Sequence, residues 1–203
     1  MIRTFAKPAL AVVAVAALMA ACNQQQTDKT AGDAGAAVNA TQDATAGAVG
    51  QASAATLGAN TVGGFATSLA MSDMYELEGA KIAASKSSKA DIKELAAMIT
   101  KDHTASSTKL KAAAPTEAPG VTLPTTLDER RQGMIDNLNA ASAADFDKVY
   151  LTQQVAAHNE ALTLLNGFSD NTEAPTLAGL AKEIIPKVTM HRDHAKTMLD
   201  AMN

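Results

Sequence analysis

Toward the end of the chain Leu177, Ala181, Ile184, Val188, His191, Ala195, Met198 and Met202 recur at steps of four and three. That spacing stacks side chains along one face of an α-helix. Three earlier stretches repeat it. One runs Phe65, Leu69, Ser72, Glu76, Ala80, Ala83; the next Ile92, Leu95, Ala96, Ile99, His103, Ser106, Leu110; the third Leu151, Val155, His158, Leu162, Leu165. Near the middle of each apolar stripe stands one ionisable residue: Glu76, His103, His158 and His191 in turn. Four amphipathic helices that hide their stripes from water make a four-helix bundle, and the four interruptions then face one another inside it.

Punctuation signals set the boundaries. The first helix is expected from about Val62 to Ser87, and Ser88-Lys89-Ala90-Asp91 has the form of a capping box that opens the second, which should end near Ala113. Pro115, Pro119, Gly120 and Pro124 make 114–125 a loop long enough to cross the bundle. Thr126-Leu127-Asp128-Glu129 reads as the cap of one short extra helix to about Asn139. Ser142 with Asp145 opens a long helix from about Ala143 to Asn166, stopped at Gly167. The last helix starts near Pro175 or Thr176 and carries Pro186, which removes a main-chain hydrogen bond and predicts a kink.

Composition supports an all-α chain. Hydrophobic residues are 47% of the sequence but aromatics only 3%, much of the apolar share being Ala, which favours closely packed helices over sheets. A net charge of -4, with no run of five basic residues, argues against a nucleic-acid partner. Residues 1–21 have the three parts of a secretory leader: Arg3 and Lys7, the apolar run Ala9 to Met19, and the small pair Ala20-Ala21 before the lone Cys22. Leu18-Met19-Ala20-Ala21-Cys22 resembles the lipobox of bacterial lipoproteins, in which the cysteine is lipidated; Asn23 at the next place implies sorting to the outer membrane, with the protein facing the periplasm. From Asn23 to Asn60 almost no large apolar residue appears, so residues 22–60 are expected to form a disordered, flexible tether and 61–203 the folded bundle.

Several segments carry a resemblance to a known family. Glu76 to Ala83, Met98-Ile99-Thr100-Lys101-Asp102-His103, Phe146-Asp147-Lys148-Val149-Tyr150 with Gln154-Val155-Ala156-Ala157-His158, and Pro186 followed by His191 look like the bacterial domain-of-unknown-function family 4142. The resemblance covers about Thr61 to Leu199. It implies a ferritin-like four-helix fold on a secreted or lipid-anchored protein, with Glu76, His103, His158, His191 and Pro186 as recurring positions, and it names no substrate.

The dinuclear carboxylate sites of ferritin-like proteins need Glu-x-x-His on two helices. Here Thr100, Val155, Val188 and His191 precede the four histidines by three, so the spacing argues against di-iron chemistry. One carboxylate and three imidazoles suit a single transition-metal ion such as Zn or Cu. The same set also suits a closed hydrogen-bonded network that only fixes packing, in a non-catalytic envelope protein with a protein partner. Depth separates the members: counted from the turn near Ser87, Glu76 and His103 differ by roughly 7–8 Å along the axis, and Asp73 lies closer to His103. His194 forms His-x-x-His with His191 but sits at the rim, and Met98, Met190 and Met198 read as core filler. No Gly-x-Ser-x-Gly elbow or Gly-rich phosphate loop is present, so nothing supports a hydrolase.

Overall fold

The computed structural model describes residues 24–58 and 61–202; the leader and Cys22 lie outside the described residues. It holds six α-helices and, among the described residues, no strand. These are α1 (Gln24–Ser53), continued by a π-helical turn (Ala54–Gly58), α2 (Val62–Lys86), α3 (Ala90–Glu117), α4 (Glu129–Ala140), α5 (Phe146–Phe168) and α6 (Pro175–Asp200). None of the described helices is long and apolar enough to cross a membrane. Residues 1–34 form a separate unit from 35–203.

The four long helices with striped sequences each touch two neighbours, in the cyclic order α2, α3, α6, α5. Every stripe position expected on α2 and α3 is buried, as is the α6 stripe through Met198. On α5 the buried face runs through Leu151, Gln154, His158, Ala161 and Leu165, with Val155 only half-buried. The apolar interior is divided in two. One cluster packs Phe65, Leu69, Leu110, Leu165, Phe168, Leu177 and Val188, with Phe65 and Phe168 stacked at 3.9 Å. The other packs Tyr75, Ile92, Leu95, Ile99, Tyr150, Leu151, Ala195 and Met198. On α3, α5 and α6 the gap between the two clusters falls at the histidine, and on α2 it holds Ser72 and Asp73, with Glu76 just beyond it, so the ionisable residues gather between two hydrophobic halves.

Several boundaries differ from expectation. α3 runs through Pro115 to Glu117, because a proline in the last turn loses only one main-chain bond while Ala118 N–H still reaches Ala114 O at 2.9 Å. The capping box expected at Ser88 does not form; Lys89 holds the cap position, Ser87 Oγ accepts from Lys89 N–H, and Asp91 accepts from Ile92 N–H at 2.8 Å. α4 is capped by Asp128, whose carboxylate accepts from Arg131 N–H at 2.7 Å, rather than by Thr126. Ser142 and Asp145 do bond reciprocally, at 2.6 and 3.2 Å, just ahead of α5. Pro186 lies inside a continuous α6.

The tether needs a larger correction. From Gly35 on, residues expected to be disordered are helical through Ser53, and they dock on the other helices without large apolar side chains. Ala supplies helix propensity, and polar anchors supply the docking. Asp43, buried, accepts from Asn137 Nδ2 at 2.8 Å and Gln153 Nε2 at 2.6 Å, and Arg130 donates to Ala46 O at 3.0 Å. Small residues allow the approach: a Cβ on Gly47 would stand 3.2 Å from that of Ala156, and one on Gly50 would collide with the Glu160 carboxylate.

Candidate metal centre

His103 on α3, His158 on α5 and His191 on α6 bring their rings together in the polar layer, at centroid separations of 5.8, 5.9 and 5.4 Å. They are 3%, 1% and 0% exposed. One nitrogen from each falls within 4.8 Å of the other two. Nitrogens sharing one ion at ~2.1 Å stand roughly 3.4 Å apart, so a small inward movement of each ring would close the set.

One nitrogen of each ring is already committed. His103 Nδ1 bonds the Asp73 carboxylate at 2.8 Å, and Asp73 in turn accepts from Ser107 Oγ at 3.1 Å. His191 Nε2 bonds the Asp102 carboxylate at 3.1 Å. His158 Nδ1 donates to its own helix, to Gln154 O at 2.9 Å. A carboxylate or carbonyl accepts, so in the neutral rings these nitrogens carry the protons. His103 Nε2, His158 Nε2 and His191 Nδ1 then hold the lone pairs, and all three are buried without a hydrogen bond. Donation of the second N–H to a carboxylate or carbonyl is how metal-binding histidines are oriented.

Asp73 and His103 pair because each stands 13 residues from its end of the α2–α3 turn, Lys86 and Ala90. Glu76 is three residues nearer that turn. Its Oε1 lies 3.6 Å from His158 Nδ1, on the outer side of that ring, and Glu76 is not in the group whose ligand atoms fall within 4.8 Å. Each imidazole is thus backed by an acidic side chain: Asp73, Glu76 and Asp102. Lys187 Nζ stands 3.8 Å from Asp102.

Protons and a cation compete for this layer. Burial pushes the Glu76 carboxyl up to about 7, opposed by His103 and by the nearby Gln154 amide. Burial disfavours charge on His103, but its bond to Asp73 and the charges of Asp73, Glu76 and Asp102 outweigh that, and its pKa is raised. Burial and the neighbouring rings hold His158 well below the usual histidine value and His191 down to about 4, so those two present free lone pairs at neutral pH.

His194 is half-buried and is not among the converging residues; Met190 is 46% exposed, while Met198 fills the second apolar cluster. Sequence reasoning passed over Asp102 and Gln154. Both were accessible to the same periodicity: Leu95, Ile99, Asp102 and Ser106 fall at steps of four and three, as do Leu151, Gln154 and His158. Two surface grooves, of about 500 and 680 Å³, border α1, and none of the three rings lines either.

No curated protein and no solved structure matches the chain. The family described as Domain of unknown function (DUF4142) matches residues 46–198, beginning inside α1 and ending at the last buried residue of α6. With three quarters of its length so matched, the chain belongs to the DUF4142 family.

Proposed function

We propose that this chain binds one divalent transition-metal ion, of the zinc or copper class, between the helices of a ferritin-like four-helix bundle formed by α2, α3, α5 and α6. The ligands are the unbonded nitrogens of His103, His158 and His191. His158 is oriented by its bond to Gln154 O, and Glu76 stands 3.6 Å from the same ring nitrogen. A single observation carries the reading: three buried imidazoles converge, and each bonds through one nitrogen and leaves the other without a partner. Imidazole donors suit zinc, copper and nickel and do not suit hard alkaline-earth ions. Enclosure of the rings fits retention or transfer of an ion better than turnover of a substrate.

Enclosure also fits a polar layer that only fixes packing. Such a layer would bond its own nitrogens, and three of them have no bond. Metal content of the purified protein, reconstituted with zinc and with copper, tests the choice. One ion per chain is expected, and His158→Ala should lose it. The absence of stoichiometric metal in the unaltered protein would sink the reading.

The leader and the run Leu18 to Cys22 support an outer-membrane lipoprotein with its bundle in the periplasm. Cys22→Ser should move the protein from membrane to soluble fractions; a variant that stays with the membrane would refute the anchor.

A further inference from the structure

The three rings are enclosed, so an ion that binds them must pass the shell of residues around them. That shell meets solvent unevenly. Among the described residues that bond or back a ring, Asp73 and Gln154 are 0% and Glu76 is 1% exposed, whereas the Asp102 side chain is 19% exposed. Asp102 Oδ2 stands 3.1 Å from His191 Nε2, and its other oxygen, Oδ1, lies 3.8 Å from Lys187 Nζ. One carboxylate thus reaches from a ring of the site to solvent.

The seam around it follows from spacing. Glu183, Lys187 and His191 fall at steps of four on α6, and Asp102 and Lys109 stand seven apart on α3, so each set shares a face. Across the seam Lys109 Nζ donates to Glu183 at 2.6 and 2.5 Å, and Lys187 Nζ lies 3.4 Å from Glu183 as well as 3.8 Å from Asp102. Lys187 is therefore shared between two carboxylates and competes for Asp102 with any arriving cation. The other seams offer a divalent ion less. Between α2 and α3, Asp73 is fully buried and accepts from Ser107 Oγ at 3.1 Å. The groove of about 680 Å³ over α5 and α6 is lined by Arg192 and amides and by no carboxylate. In the cavity of about 210 Å³ between α2, α4 and α5, Asp128 and Glu160 are already paired with Arg130 and Arg131.

We propose that the ion enters and leaves between α3 and α6, with Asp102 as its first point of contact and Lys187 as the residue that holds the entrance closed. This route presupposes the metal site at the three histidines and adds to it how the ion arrives. A carboxylate that meets solvent attracts the cation. Because the same carboxylate is bonded to His191, capture there delivers the ion beside the first of its ligands.

Zinc exchange by the full chain tests the route. Uptake by the metal-free protein and release to excess chelator are followed with a zinc-sensitive dye, alongside zinc stoichiometry. Lys187→Met should speed both rates by about 2–5-fold, the worth of one partly exposed ion pair. Release is the deciding rate. A lysine that acts by charge alone repels the bound ion, so its loss would slow release; a lysine that closes the route hinders passage in both directions, so its loss speeds release. Asp102→Asn should take the greater part of its lost affinity in slower uptake. A loss confined to faster release would mean that Asp102 only orients His191, and it would overturn the route. Ser107→Ala loosens the α2–α3 seam and should leave uptake unchanged; faster uptake there, or release from Lys187→Met that is unchanged or slower, also overturns the route. One zinc per chain in those cases leaves the metal reading standing, whereas the absence of stoichiometric zinc in the unaltered protein ends both.

Discussion

Asp73 and Asp102 act on the candidate metal centre without being placed to ligate it. Each accepts an N–H from a ring and thereby fixes which nitrogen keeps its lone pair. Replacement by Asn keeps the size but lets the amide present either a donor or an acceptor to the ring, so the tautomer is no longer dictated. Asp73→Asn and Asp102→Asn should each weaken binding of the ion by about 10–100-fold, in a competition titration at pH 8, without removing it. The sign of the pH effect follows from the raised pKa of His103. Below that pKa the ring is protonated and the ion must displace a proton, so affinity in the unaltered protein rises as pH increases through it. Asp73→Asn loses the largest interaction that raises His103 and should flatten that rise, whereas Asp102→Asn removes a smaller contribution and should flatten it less. Equal slopes for both variants would mean that Asp73 does not govern the proton on His103.

The helices were readable at the scale of elements because period and burial coincide: the stripes on α2 and α3 are buried position by position. On α5 the same reasoning favoured Val155 over Gln154, since an apolar residue one place along fits the pattern nearly as well and hydropathy alone cannot place a buried amide. Ser142 and Asp145 bond each other, but α5 opens only at Phe146 and its cap residue Asp145 makes no side-chain cap bond; at Thr126 and Asp128 two candidate caps competed and Asp128 took the place. Glu117 shows a link that spacing could not reveal. At the end of α3, its carboxylate accepts from Thr176 and Leu177 N–H at 2.8 Å each and so caps α6, 59 and 60 residues later in sequence. Convergence of three histidines was legible from their placement on separate stripes. Their depth was not, because axial counting assumes flush turns: His158 lies 10 residues before the end of α5 and His191 16 after the start of α6. Their rings meet at 5.4 Å, so that difference of roughly 9 Å is taken up by turn and tilt.

At the scale of the folded unit, the polar layer and α1 are joined through one pair of adjacent amides. Gln154 faces the layer, while Gln153 faces outward and ties α5 to α2 through Tyr75, to α4 through Met134 O and to α1 through Asp43. From Asn39 on, α1 brings little apolar surface to this contact: Ala46 is half-buried and Val49 is 51% exposed, and Ala54 of the π-helical turn that follows is buried. Its attachment therefore rests on directional bonds, of which those of Asp43 are the most enclosed. Asp43→Ala would leave the Asn137 amide without its carboxylate acceptor and remove the α1 contact of Gln153, at a cost of about 1–3 kcal/mol to docking. That cost falls on α1, because α2, α3, α5 and α6 keep both apolar clusters. Hydrogen exchange should accordingly show residues 39–53 losing protection by one to two orders of magnitude, with α2, α3, α5 and α6 unchanged and the ion stoichiometry intact. Retained protection in 39–53 would show that close approach through Gly47 and Gly50 holds α1 without Asp43; loss of protection throughout would make α1 an inseparable part of the folding unit.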